Sequence, residues 1–177
     1  MHRCRKNVRC LSGVGIAFLF VSLYAVSLMA KTHIAPGDLA QDFTLTDSNG
    51  TSHTLSAYRG NVVVLYFAMW CTTCRANTLE LQQEIYLPLK DKGVNVFTVD
   101  YLNNKQPEVR SIVQDLKLAY PALLDDQTLT DRYDGKMSLT LVIDRKGVIR
   151  YCDFYDIEKV KTAVAEAAGV RLAASLI

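Results

Sequence analysis

The chain opens on polar, basic residues, His2–Arg9, and then runs apolar from Leu11 to Ala30. As a helix that run is long enough to cross a bilayer, and it is longer than most export-signal cores. Lys31–Ala40 is a linker around Pro36-Gly37, after which the pattern becomes that of a folded domain. Phe43–Thr46 alternates apolar and polar positions, Asn49-Gly50 marks a tight turn, and Thr51–Leu55 returns. This predicts a β-hairpin. Ser56 is placed to cap a short turn through Arg59. Val62–Phe67 is a continuous β-branched and aromatic run, the pattern of a strand buried on both faces.

From Thr72 to about Leu87 the spacing turns helical, with Leu81 and Ile85 four apart and Pro88 expected to stop it. Val94–Val99 is a second buried strand. Strand, helix, strand predicts two parallel strands joined by a right-handed crossover. Pro107 suits the first turn of another helix, whose apolar face is Val109, Ile112, Val113 and Leu116. Ala122–Leu124 is a short extended piece and Thr128–Tyr133 a helical turn. Leu139–Ile143 and Val148–Cys152 form a second hairpin about Asp144–Gly147. Asp156 caps a last helix that Gly169 ends. The order predicts an α/β fold: a sheet with a buried parallel centre and an antiparallel edge, with helices on both faces.

Charge changes the picture of the first thirty residues. Arg3, Arg5, Lys6 and Arg9 lie there with no acid, and the remainder carries 16 basic and 18 acidic residues. The body has no basic signature of a nucleic-acid binder. A basic flank before an apolar run predicts the flank inside and the body outside. We read residues 1–30 as a signal-anchor or a signal peptide and 31–177 as one domain. The expected location is the inner membrane, with the domain in the periplasm, or the periplasm alone if the leader is cleaved. Cys4 and Cys10 precede the apolar run and face the cytoplasm in the anchored form. The body is then where disulfide chemistry is permitted.

The chemistry concentrates in Trp70-Cys71-Thr72-Thr73-Cys74, at a strand-to-helix turn. Cysteines three apart there reach each other across the first helical turn. The first meets the free N–H groups of the helix start, which favour a thiolate. Three chemistries fit: a redox dithiol, an inert disulfide closing a tiny loop, or half of a zinc site. The strand–turn–helix setting favours the dithiol, with Cys71 attacking and Cys74 resolving. No second C-x-x-C exists, and His33 and His53 are isolated. Trp70, the single tryptophan, is expected to form an apolar platform beside the thiols. Cys152 is read as a core residue and Asp125-Asp126 as a solvated turn. No phosphate loop, dinucleotide fingerprint or Ser-His-Asp arrangement appears, and no cofactor or metal is implied.

The chain resembles the thioredoxin superfamily, in particular the exported redoxins of the TlpA, ResA and CcmG kind. The carriers are Pro36–Leu45, Val62–Phe67, Trp70–Ala76 and Thr140–Gly147. The resemblance implies a thioredoxin-like three-layer sandwich with a mixed central sheet and an added N-terminal β-hairpin. It implies a thiol–disulfide oxidoreductase with Cys71 and Cys74 as catalytic thiols and Trp70, Thr72, Thr73, Met137 and Ser138 along a substrate groove. Protein thiols or disulfides are the implied partners, and a membrane electron donor would keep the dithiol reduced, for work such as cytochrome c biogenesis. Four positions depart from the pattern. Thr73 replaces a proline, Leu79 replaces another, and Asn77 replaces an acid that would move protons. Ser138 stands where a cis-proline is usual, bringing a hydroxyl and an N–H near the sulfurs. A redox-inactive binding module, with a structural disulfide or metal at Cys71 and Cys74, is the alternative. A peroxiredoxin fits less well, since Ala68 stands three before Cys71, where that chemistry places a threonine.

Overall fold

The computed structural model describes residues 34–133 and 135–170. The leader with its cysteines, His33 and the tail from residue 171 lie outside the described residues. Among the described residues no helix is long and apolar enough to cross a membrane.

The first hairpin pairs β1 (Thr44–Asp47) with β2 (Ser52–Thr54). Gly50, at φ 92°, takes the left-handed turn position that a side chain would strain. The Asp47 carboxylate tightens the turn by accepting the N–H groups of Asn49 and Thr51. A 3₁₀ turn, Leu55–Tyr58, leads to β3 (Val62–Ala68), in which every residue is buried. The long helix α1 starts at Thr72–Leu81. It does not stop before Pro88. A π-helical turn, Gln82–Tyr86, carries it into a last α turn, Leu87–Leu89. Proline lacks an N–H and its ring crowds the carbonyl four residues back. Widening the turn, with the Leu87 N–H on the Gln82 carbonyl, accommodates it.

Then come β4 (Val94–Asp100), α2 (Gln106–Asp115), β5 (Ala122–Leu124) and α3 (Thr128–Arg132). The chain ends with β6 (Leu139–Ile143), β7 (Ile149–Phe154) and α4 (Ile157–Ala168). The seven strands form one mixed sheet in the order β2-β1-β5-β4-β3-β6-β7. β3, β4 and β5 are parallel, and β1 and β6 join them antiparallel. The chain steps from β3 to β4 to β5 in one direction, so right-handed crossovers put α1 and α2 on the same face. Val62, Val64 and Tyr66 meet Leu81 and Ile85 of α1 and Val160 and Val164 of α4 on that face. Val109 of α2 packs with Ala122 and Trp70. Val63, Leu65 and Phe67 point the other way, onto Phe43, Leu55, Leu129 and Tyr133. The layer there is thinner, built from the N-terminal segment, the 3₁₀ turn and α3. This is the thioredoxin-like sandwich.

Candidate active site

β3 and β4 run parallel in register to Ala68 and Asp100, so their carboxyl ends finish side by side. In open α/β sheets this end is where sites form. Trp70 follows with φ 60°, a left-handed conformation rare for a bulky residue. Its side chain turns inward and is 5 % exposed. The indole N–H donates to Asp100 Oδ1 at 2.9 Å. The same carboxylate takes the backbone N–H and the amide of Asn104, both at 2.7 Å. Trp70 is therefore not the surface platform expected from its position. Its apolar rings find Val109 and Ala122, and its N–H finds a buried acceptor, which is how a buried indole is satisfied. It anchors the loop that delivers the cysteines. The Arg75 guanidinium Nε closes that loop from α1, donating to the Trp70 carbonyl at 2.8 Å.

Cys71 is the N-cap of α1, with extended backbone, and its Sγ accepts the Cys74 N–H at 3.3 Å. Both cysteines are free thiols, and their sulfurs share a hydrogen bond at 2.8 Å. Cys71 is partly exposed and Cys74 is fully buried. The surroundings push the two thiols apart. The bond shared with the Cys74 thiol, and then the Cys74 N–H, hold Cys71 below the ordinary thiol range. Burial pushes the Cys74 thiol up, and the bond to Cys71 adds to it. The partly exposed sulfur is thus the more readily ionised of the two, and the buried one holds its proton more tightly. Such a pair can attack a disulfide and then resolve the mixed disulfide that results. Thr72 and Thr73 lie exposed on the same first turn.

The remaining predicted positions converge from other elements. Asn77, half-buried one turn beyond Cys74, donates its amide to the Tyr66 hydroxyl at 3.1 Å. The Ser138 hydroxyl lies 3.5 Å from the same phenol. Ser138 sits at φ 67°. Its N–H is not offered to the sulfurs, as expected from the missing proline, because the Phe67 carbonyl takes it at 2.9 Å. Met137 is 44 % exposed beside it, and Phe154, paired with Leu139 on the edge strand, is 60 % exposed.

Asp125 departs from expectation, while Cys152 keeps its expected place in the core. Asp125 is not a solvated turn residue: it is buried and accepts the N–H groups of Leu129 and Thr130 and the Thr130 hydroxyl. A turn carboxylate preceding a short helix finds the unpaired donors of that helix. Cys152 belongs to the apolar cluster on the sheet face opposite Cys74, and burial raises its thiol. His53 is tied to Asp47 and the Tyr58 hydroxyl. Among the described residues no group of three or more His, Cys, Asp or Glu could hold a metal ion.

Two residues of the site escaped sequence reasoning. Tyr66 carries the single polar side-chain atom of β3 and faces α1, a signal hidden in an apolar run. Asp100, a buried acid ending an apolar strand, is the second.

Residues 36–152 match the AhpC/TSA family. The thiol–disulfide oxidoreductase ResA of Geobacillus kaustophilus is 31 % identical over 138 residues, covering 76 % of this chain and 78 % of that protein. Among solved structures, a proposed protein disulfide isomerase from Bacteroides thetaiotaomicron superposes with a TM-score of 0.70 at 26 % identity, over 77 % of this chain and 91 % of that one. A proposed thiol:disulfide interchange protein DsbE from Chlorobium tepidum superposes with a TM-score of 0.64 at 26 % identity, over 77 % and 99 % of the two chains. A partly exposed thiol held below the ordinary range, a buried partner and these likenesses agree, and the chain belongs to the AhpC/TSA family, among its thiol–disulfide oxidoreductases.

Proposed function

We propose that the protein is exported, held to the inner membrane by residues 11–30, and exchanges a Cys71–Cys74 disulfide with protein partners in the periplasm, as a reductant. The observation that carries the dithiol role is the asymmetry of the two sulfurs, one partly exposed at a helix N-cap and one buried 2.8 Å away. The Cys71 thiolate attacks a partner disulfide. One partner sulfur leaves as a thiol after taking a proton, and the other is held in a mixed disulfide. Cys74 then attacks Cys71, forms the Cys71–Cys74 bond and frees the second partner thiol. Two electrons pass to the partner, and a membrane electron donor restores the dithiol. Thr72, Thr73, Met137 and Ser138 flank the partner segment. The relatives named for thiol–disulfide exchange support this reading, as does the basic flank of the apolar run for anchoring.

Trapping tests it. In native membranes a Cys74→Ser variant accumulates mixed disulfides through Cys71, separable by non-reducing electrophoresis and lost in a Cys71→Ser, Cys74→Ser double variant. A complete lack of such adducts sinks the reading. Extraction at alkaline pH and protease digestion of spheroplasts test the anchor: the domain stays with the membrane and is digested from outside.

A further inference from the structure

The dithiol occupies the carboxyl end of the central strands. The amino end of the same strands carries a different chemistry. There the turn between β6 and β7 lies beside the residues that lead into β3, with the Gly60 N–H donating to the Arg145 carbonyl at 2.9 Å. The segment that enters the domain runs along the same turn. Leu39 bridges to Val148, and the Ala40 N–H donates to the Gly147 carbonyl at 2.9 Å. The Arg59 guanidinium lies over Gly147, in the space a side chain there would fill. These contacts gather Leu39, Arg59, Arg145 and Lys146 on one face, where all four are exposed.

Leu39 is 64 % exposed, the most of any large apolar side chain among the described residues, and its burial would be favourable. None of the three cations is in an ion pair among the described residues. The nearby carboxylates are engaged. Asp144 holds Arg150 and the N–H groups of its own turn, and Asp38 accepts the Ala35 N–H at 2.8 Å. The turn Lys90–Lys92, tied to the start of β3 by the Val62 N–H on the Gly93 carbonyl, adds one net positive charge. An apolar side chain among cations is suited to a bilayer surface. The apolar group enters the headgroup layer and the cations meet phosphates.

The length of the tether says what covers this face. The apolar run ends at Ala30, and the domain begins with buried Ile34, four peptide steps on. Fully extended, those steps span about 14 Å. The entering segment then runs directly into the exposed face. A tether this short keeps the entering face near the surface that holds the run.

We propose that Leu39, Arg59, Arg145 and Lys146 form a docking face for anionic phospholipid headgroups, which seats the domain on the membrane with its dithiol pointing away. The proposal rests on the anchoring reading above and adds an orientation to it. Seven residues of β3, at about 3.3 Å each, then stand Cys71 about 20 Å above the headgroups. Cys71 meets its partners on the aqueous side, and a membrane electron donor has to reach that height.

The test uses the full-length chain in nanodiscs, with the five cysteines replaced by serine and a single bimane probe on Leu39→Cys or on Met137→Cys. The discs are phosphatidylcholine with or without phosphatidylglycerol, and a nitroxide on the lipid headgroup is the quencher. With phosphatidylglycerol, the probe at 39 is quenched at least about threefold more than the probe at 137. Arg59→Gln, Arg145→Gln and Lys146→Gln together cut quenching at 39 about twofold, and so does salt at about 0.5 M, which needs no variant to fold. Equal quenching at the two probes, or quenching at 39 that neither salt nor the charge variant changes, overturns the proposal and leaves the anchor standing. A charge dependence equally strong without phosphatidylglycerol assigns the face to another anionic partner and overturns it too. A chain that alkaline extraction strips from native membranes overturns the anchor, and the proposal with it.

Discussion

Cys71 and Cys74 differ by one helical turn in sequence and by an entire environment in space. The partly exposed sulfur takes the helix-start N–H and shares a hydrogen bond with its neighbour, and the buried one bears the desolvation. Reactivity therefore splits by pH. Cys71 is expected to alkylate with iodoacetamide at a midpoint below the ordinary thiol value of about 8.5. Cys74→Ala removes the first cause of that lowering, so the midpoint rises toward the ordinary value. Mass spectrometry of the Cys71 peptide across pH checks it, and an unmoved midpoint contradicts the assignment. Trp70 makes a second residue-scale prediction. Trp70→Phe keeps an aromatic ring but leaves Asp100 without its indole donor, which costs about 1–3 kcal/mol of stability in urea unfolding. Because Asn104 still bonds Asp100, the loss falls at the lower end. The left-handed backbone at Trp70 and at Ser138 places both residues, and neither is a glycine.

Elements place these residues. β3 is buried along its whole length, so its alternation shows nothing of which face a residue takes. The faces are set when α1 and α2 cover one side and α3 with the 3₁₀ turn covers the other. Truncation in its centre is expensive: Leu65→Ala is expected to cost about 2–5 kcal/mol in the same unfolding experiment. The helix α3 has five residues, too few to be stable alone, and Asp125 holds its first turn with three hydrogen bonds. Asp125→Ala leaves those donors buried. We expect a loss of about 1–2 kcal/mol, with raised hydrogen exchange confined first to Thr128–Arg132. The π-helical turn before Pro88 shows an element boundary set by packing. Leu89, in the turn that continues past the proline, is buried against Ile85 and Val94 in the core.

At the scale of the molecule, the sheet brings five separated stretches to one end: Ala68–Cys74, Asn77, Asp100–Asn104, Met137–Ser138 and Phe154–Tyr155. Carboxylates secure its far hairpins. Burial alone would raise Asp144, but the N–H groups of Val148 and Lys146 and the Arg150 side chain outweigh it and hold it below the usual range. Asp47 is lowered likewise, against burial, by His53 and the N–H groups of Thr51 and Asn49. A carboxyl whose folded pKa is lowered contributes its stability fully above the unfolded value. That contribution is lost as pH falls through the folded one. The melting temperature is therefore expected to be flat at mildly acidic pH and to drop below about pH 4. Asp144→Asn flattens that drop, and an unchanged acid limb would argue against it.

Much of the framework was legible along the chain because it is local. Continuous apolar runs mark β3 and β4, Asn49-Gly50 and Asp144–Gly147 mark hairpins, and Asp156 and Gly169 bracket α4 at the expected residues. The Cys71–Cys74 spacing at a strand-to-helix junction likewise places the two thiols one turn apart at a helix start, since capping acts within one turn. What the sequence by itself determined was this order of elements and the place of the Cys71–Cys74 pair at a helix start. Only the tertiary structure decided which polar atoms meet. Trp70 turns in to Asp100 across 30 positions, and the Ser138 hydroxyl reaches Tyr66 across 72. Such pairings depend on strand register and sheet face, and no local pattern encodes them. Burial then makes each one compulsory, because an unpaired polar group in the interior is costly.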